Sequence, residues 1–299
     1  PKGMPIAIML VIGLFKKVVI ADTFAVWATA GFDVAATLNL FEAWATSLSY
    51  TFQLYFDFSG YTDMAIGAAL LFNIKLPINF NSPYKATGMI DFWQRWHITL
   101  SNFITTYIYT PLVRSFNRLT FHKAMLATVI TFLIAGLWHG ASWMFIVFGG
   151  LHGVGLIANH YWKKSKIKIN SILAWFITFN FVNITFIFFR AKDWGDAVKV
   201  LGGMFSLDNI VLPILLFSKL SILTNYGVKF GGFTTNLSAG NDLIIWLFIG
   251  LILTLFFKNS IEKLDNFKFN YKTTIFSGVT FCFGVLSLTK VSEFLYFNF

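Results

Sequence analysis

Two tryptophan–histidine pairs hold the side chains best suited to acid–base chemistry in this sequence. Trp138-His139 closes the apolar segment Ala124 to Trp138 and runs into Gly140-Ala141-Ser142-Trp143; Trp96-His97 closes Phe92-Trp93-Gln94-Arg95-Trp96-His97. A neutral imidazole can take a proton from a hydroxyl near neutral pH. An imidazole embedded in apolar surroundings is costly unless it pairs or works on something. The two histidines lie 139 − 97 = 42 residues apart. One is suited to be a general base and the other to position it or stabilise charge. The plainer reading of residues 92–97 is an interfacial belt of tryptophan and arginine.

Two carboxylates, Asp57 and Asp63, interrupt a long apolar stretch together with Ser59 and Gly60. They are a candidate acid–base pair, but six residues apart across a glycine they need not face one another. The alternative is a helix break satisfied by its own polar groups. Ser59 lacks a Gly-x-Ser-x-Gly elbow, and no phosphate loop or dinucleotide fingerprint is present. His152 and His160 are two helical turns apart, yet no third ligand at suitable spacing accompanies them, so no metal site is expected. The single cysteine, Cys282, excludes an internal disulfide framework and reads as a small buried hydrophobe.

The elements that must hold these groups are apolar helices. The 299 residues are 57% hydrophobic and only 12% charged, with mean hydropathy +0.68; soluble domains carry about twice that charge. Runs without polarity alternation exclude a transmembrane barrel. The fold class expected is all-α: a polytopic transmembrane helical protein with re-entrant or interfacial helices around a central polar cavity. The net charge of +10 fits positive cytoplasmic loops rather than nucleic acid.

In order, the expected spans are Met4 to Ile20 (interrupted by Lys16-Lys17, which snorkel or mark the helix end), Leu40 to Phe58 (with Met64 to Phe72 following the polar interruption), Ala124 to Trp138, Trp143 to Trp162, Ile172 to Phe189, Leu243 to Phe257 and Thr273 to Thr289. Residues 22 to 39 read as a connection with some interfacial helix, 98 to 112 as a re-entrant or surface-lying amphipathic helix, and 194 to 205 as an amphipathic piece. Lys163, Lys164, Lys166 and Lys168, and later Lys258, Lys263, Lys268 and Lys272, mark cytoplasmic ends. The run before His139 is about 22 Å long against a core of about 30 Å, which sets His139 inside the bilayer near its outer face. With no internal repeat, one integral-membrane domain over residues 1–299 is the economical division. The chain opens with proline beside a membrane segment, so an N-terminal part of the full-length protein is expected to be missing.

The segments Tyr55 to Gly67, Asn79 to Tyr84, Phe92 to Ser101 and Gly136 to Gly140 resemble the signature segments of membrane-bound O-acyltransferases. Gly13 to Lys17, Phe188 to Ala191 and the terminal Phe294 to Phe299 add to the likeness, which is to the bacterial branch acting on alginate, peptidoglycan and teichoic acid. The resemblance implies His139 as the catalytic histidine and His97 as the second functional position. It implies transfer of an acyl group, acetyl by preference, from a cytoplasmic thioester such as acetyl-CoA to a hydroxyl of an exported or envelope polysaccharide. It also implies a periplasmic acyl-accepting or acetyltransferase partner, a bacterial inner-membrane location and no bound cofactor. Arg95, Trp96, Trp138, Asp57, Asp63 and Asn81 are the residues expected to line the substrate cavity. Gln94 stands where the family usually has an arginine, and Val113-Arg114 where many members have paired glycines. The competing function is a proton- or solute-coupled transporter or flippase, which more often shows inverted repeats.

Overall fold

The computed structural model describes residues 3–265, 268, 270–288 and 295. Among these the fold is helical: α1 (Gly3–Phe15), α2 (Asp22–Thr29), α3 (Leu40–Leu71), α4 (Met89–Trp93), α5 (Ile98–Ile104), α6 (Thr110–Arg114) and α7 (Phe121–His139) are followed by α8 (Trp143–Ser165), α9 (Ser171–Arg190), α10 (Trp194–Phe205), α11 (Phe217–Leu220), α12 (Asn241–Phe256), α13 (Ser260–Asp265) and α14 (Tyr271–Leu286). Two three-residue strands, β1 (Val211–Pro213) and β2 (Lys229–Gly231), pair in parallel. Three helices are long and apolar enough to cross a membrane: α7, α8 and α9.

α3 is the axis of the fold. It starts at a capping box in which Asn39 accepts from the Phe41 and Glu42 N–H groups while Glu42 accepts from the Asn39 N–H. At 32 residues it is about 48 Å long. Gly60 does not break it. A Cβ on Gly13 would lie 2.6 Å from the Gly60 carbonyl, and one on Gly60 would lie 2.8 Å from the Gly13 carbonyl. The two glycines therefore let α1 and α3 touch backbone to backbone, as small residues do between membrane helices. The α7–α8 hairpin uses the same device: a Cβ on Gly136 would sit 2.2 Å from the Phe145 carbonyl, and one on Gly149 2.2 Å from that of Phe132.

Several expectations are corrected. The lysine pair does not end the first helix: wide helical turns at Lys16–Ala21 and Ala30–Val34 carry the chain through α2 to residue 34, so the helix expected within the connection is continuous with the first one. Lys16 and Lys17 do not snorkel; both are held by carboxylates inside the fold. Residues 98 to 114 are helical throughout, in keeping with the helix expected there, with a wide turn at Thr105–Tyr109. α7 begins at Phe121, so His122 and Lys123 belong to it, and its 19 residues rise about 27 Å from first to last. Cys282 is exposed on α14 rather than buried. Of the terminal segment Phe294 to Phe299, only Leu295 lies within the described residues.

Candidate active site

His139 is the last residue of α7, and its ring packs edge-on to Phe189 of α9, with centroids 4.9 Å apart. Ser142, which caps α8 by accepting from the Met144 N–H, turns the chain so that Phe145 and Phe148 also reach the His139 ring. Trp138 packs edge-on against the His139 ring, with centroids 4.8 Å apart, but is 58% exposed and does not line the small cavity that His139 lines. Only one residue of that pair faces inward.

His97 occupies a left-handed backbone conformation, φ 44° and ψ 55°, directly before α5. Such a conformation in a residue other than glycine costs about 1–3 kcal/mol and persists where surrounding structure over-determines it. Here Asn79 does so: its carbonyl accepts from the Ile98 N–H, and its Oδ1 accepts from both the N–H and the hydroxyl of Thr99. The His97 ring is buried and stands edge-on to Phe58 of α3, with centroids 4.8 Å apart.

The two histidines line one small cavity of about 30 Å³, walled by Trp93, Trp96, Phe148, Phe186 and Phe189 and reached by Asp57. That volume accommodates a water or two. Asp57 is 2% exposed and sits 2.7 Å from the Lys17 Nζ, which lies 3.0 Å from Asp22 as well. Its Oδ2 also accepts from the N–H of Leu295, which closes another wall of the cavity. One buried ammonium thus stands between two buried carboxylates beside the imidazoles.

Of the expected site residues, the structure brings His97, His139, Asp57 and Trp96 to this cavity and leaves four elsewhere. Asp63 is paired with Lys16 at 2.7 Å and accepts from Ser260, in a separate small cavity that also includes Ser59. Arg95 donates to Asp91 and to the Asn81 carbonyl, and Asn81 accepts from Asn259, so those residues tie the loop before His97 together. Trp138 lies outward. Asp57 and Asp63 do not face each other.

Sequence reasoning passed over two contributors. Lys17 carried a signal, a lysine inside an apolar run, but its partner Asp57 is 40 positions away. His152 is fully buried between Trp93 and Thr185: the Trp93 indole donates to Nδ1 at 3.1 Å, and the Thr185 hydroxyl lies 2.9 Å from Nε2. Because that hydroxyl donates to the Val182 carbonyl, it must accept from Nε2–H. His152 is therefore a neutral imidazole that anchors Trp93 on the cavity wall.

Comparison with known proteins assigns the family. The sequence model of the membrane-bound O-acyltransferase family matches residues 3–192. A peptidoglycan O-acetyltransferase of Helicobacter pylori is 45% identical over 294 residues, 96% of this chain and 55% of that protein. A probable alginate O-acetylase of Azotobacter vinelandii is 38% identical over 71% of this chain and 42% of its own length. A teichoic acid D-alanyltransferase of Streptococcus thermophilus is 35% identical over 47% of this chain and 39% of its own length. The chain spans about half the length of the curated relatives it matches. It belongs to the membrane-bound O-acyltransferase family.

Proposed function

We propose that this member of the membrane-bound O-acyltransferases carries the reaction centre of an enzyme that moves an acetyl group from a cytoplasmic thioester to a hydroxyl of an envelope polysaccharide. The observation that carries the reading is the convergence of two imidazoles and a buried carboxylate on one aromatic cavity. Relatives named for peptidoglycan and alginate acetylation support the acetyl group and the polysaccharide acceptor. Acetyl-CoA is the thioester of choice, and a periplasmic acyl-accepting partner completes delivery at the bacterial inner membrane.

His139 serves as the base. Its imidazole takes the acceptor's hydroxyl proton as that oxygen attacks the thioester carbonyl, giving a tetrahedral oxyanion. When the intermediate collapses, the carbon–sulfur bond breaks and the imidazolium returns its proton to the departing thiolate. His97 supplies positioning or charge stabilisation from across the cavity. Asp57, held by Lys17, keeps a carboxylate where the transient imidazolium forms.

The test is reconstitution of the full-length protein with radiolabelled acetyl-CoA and its periplasmic partner. His139→Ala is expected to lower transfer by at least about 10²-fold with folding intact. Unchanged transfer in a folded His139→Ala protein would sink the reading.

A further inference from the structure

A second and much larger cavity lies on the other side of α3. It has a volume of about 720 Å³ and is bounded by α1, α12, α13 and α14, a size typical of small-molecule sites. On α3 it is faced by Tyr55 and Phe56, whereas Leu54, Asp57 and Phe58 face the histidines. At about 100° per residue these two sets fall on opposite sides of the helix. The two cavities share no lining residue, so this one is distinct from the cavity that holds the histidines.

Its chemistry is divided. One part of the lining is apolar, with Ile12, Phe15, Leu253, Phe276, Val279 and Phe283, and the polar part includes Lys16, Lys258, Lys263 and Lys272. Lys16 is committed to Asp63 and Ser260. The other three have no carboxylate partner among the described residues. Glu262, which lines the adjoining cavity, accepts from the Asn259 N–H. Lys258 follows α12 and Lys272 is the second residue of α14, so both stand where apolar helices end. Burial, and then the like charge of Lys16, hold the Lys263 ammonium below the usual lysine range. An anion at this place would relieve that repulsion.

We propose that this cavity binds an anionic phospholipid, with acyl chain between α1, α12 and α14 and phosphate among Lys258, Lys263 and Lys272. Basic pockets between membrane helices recognise acidic head groups through this combination of lysine charge and apolar lining. A neutral lipid with the same chains gains only the apolar half of it.

The experiment uses the full-length protein in a neutral maltoside detergent, titrated with dioleoyl-phosphatidylglycerol or dioleoyl-phosphatidylcholine. Native mass spectrometry counts retained lipid, and thermal unfolding reports stabilisation. Phosphatidylglycerol is expected to be retained and to raise the unfolding midpoint, with phosphatidylcholine doing neither. A Lys258→Gln, Lys263→Gln, Lys272→Gln triple variant is expected to weaken phosphatidylglycerol binding roughly tenfold or more. Lys272→Gln alone, with a smaller loss, carries the test if the triple variant does not fold. Val279→Trp narrows the apolar part of the cavity with the lysines intact and is expected to weaken lipid retention. Equal retention of both lipids, undiminished binding by the folded lysine variants, or lysine-dependent stabilisation by acetyl-CoA instead would each overturn the proposal. So would the absence of any bound lipid in the wild-type protein.

Discussion

Lys17 and His152 have different jobs at the same cavity, and the difference is measurable. Lys17 is 4% exposed and holds Asp57 and Asp22 together. Removing one partner of a buried ionic cluster strands the others, which typically costs about 3–5 kcal/mol. Lys17→Met is therefore expected to lower the unfolding midpoint steeply, and Lys17→Met with Asp57→Leu to recover part of that loss without recovering transfer. If the single variant unfolds like the wild type, the cluster does not hold this region. His152 is neutral and fully satisfied, so His152→Leu leaves the Trp93 indole N–H without its acceptor, at about 1–3 kcal/mol. Because His152 is absent from the lining of the histidine cavity, transfer by His152→Leu should fall but persist. A loss as complete as that of His139→Ala would give His152 a direct part in the chemistry instead.

At the scale of elements, α7 and α8 set where His139 stands. Gly136 and Gly149 allow the two helices to touch, and Phe145, whose carbonyl faces Gly136, is also one of the rings beside His139. Gly136→Ala brings a methyl group 2.2 Å from that carbonyl, an overpacking expected to cost about 1–3 kcal/mol. A drop in the rate of transfer larger than any drop in donor affinity, together with a lower unfolding midpoint, is the expected kinetic signature. Wild-type stability in Gly136→Ala would mean the hairpin has slack the close approach does not suggest.

The same elements separate what hydropathy makes legible from what it hides. α8, α9 and α10 fall close to where their apolar runs or amphipathic pattern put them, because each run is bounded by lysine, arginine or a capping residue. The continuity of α1 into α2, and of α3 across Gly60, was hidden. Lys16, Lys17, Asp22, Asp57 and Asp63 read as interruptions one at a time, yet they neutralise each other across the α1–α3 contact. Local patterns show the cost of burying a charge but not a partner 40 or more positions distant. For the site, the Trp-His segments identified the imidazoles. That Arg95 and Asn81 serve the loop, and Asp63 the lysine side, depends on packing that no spacing encodes.

On the scale of the whole molecule, contacts sort the charged loops between two ends. Lys85 donates to the Phe257 carbonyl, the Trp175 indole to that of Tyr84, and the Ile90 N–H to Asn159. These bonds gather the start of α9 and the ends of α8 and α12 at one end, bringing Lys163, Lys164, Lys166 and Lys258 to the same side. At the other end Arg190 pairs with Asp33 and Lys199 donates to the Phe32 carbonyl, so acids and bases are mixed there. By the positive-inside rule the lysine-rich end is expected on the cytoplasmic side, and α7, starting at Phe121 at that end, carries His139 about 27 Å from it. Single cysteines introduced at Lys166, Lys258 and Ser142 in a Cys282→Ala background should separate cleanly under a membrane-impermeant maleimide. Ser142 is expected to label from outside intact cells, and positions 166 and 258 only after the membrane is opened. Labelling of 166 and 258 from opposite sides would contradict the packing itself, whereas labelling of both from outside would invert the orientation and place the thioester end of the reaction at the wrong face.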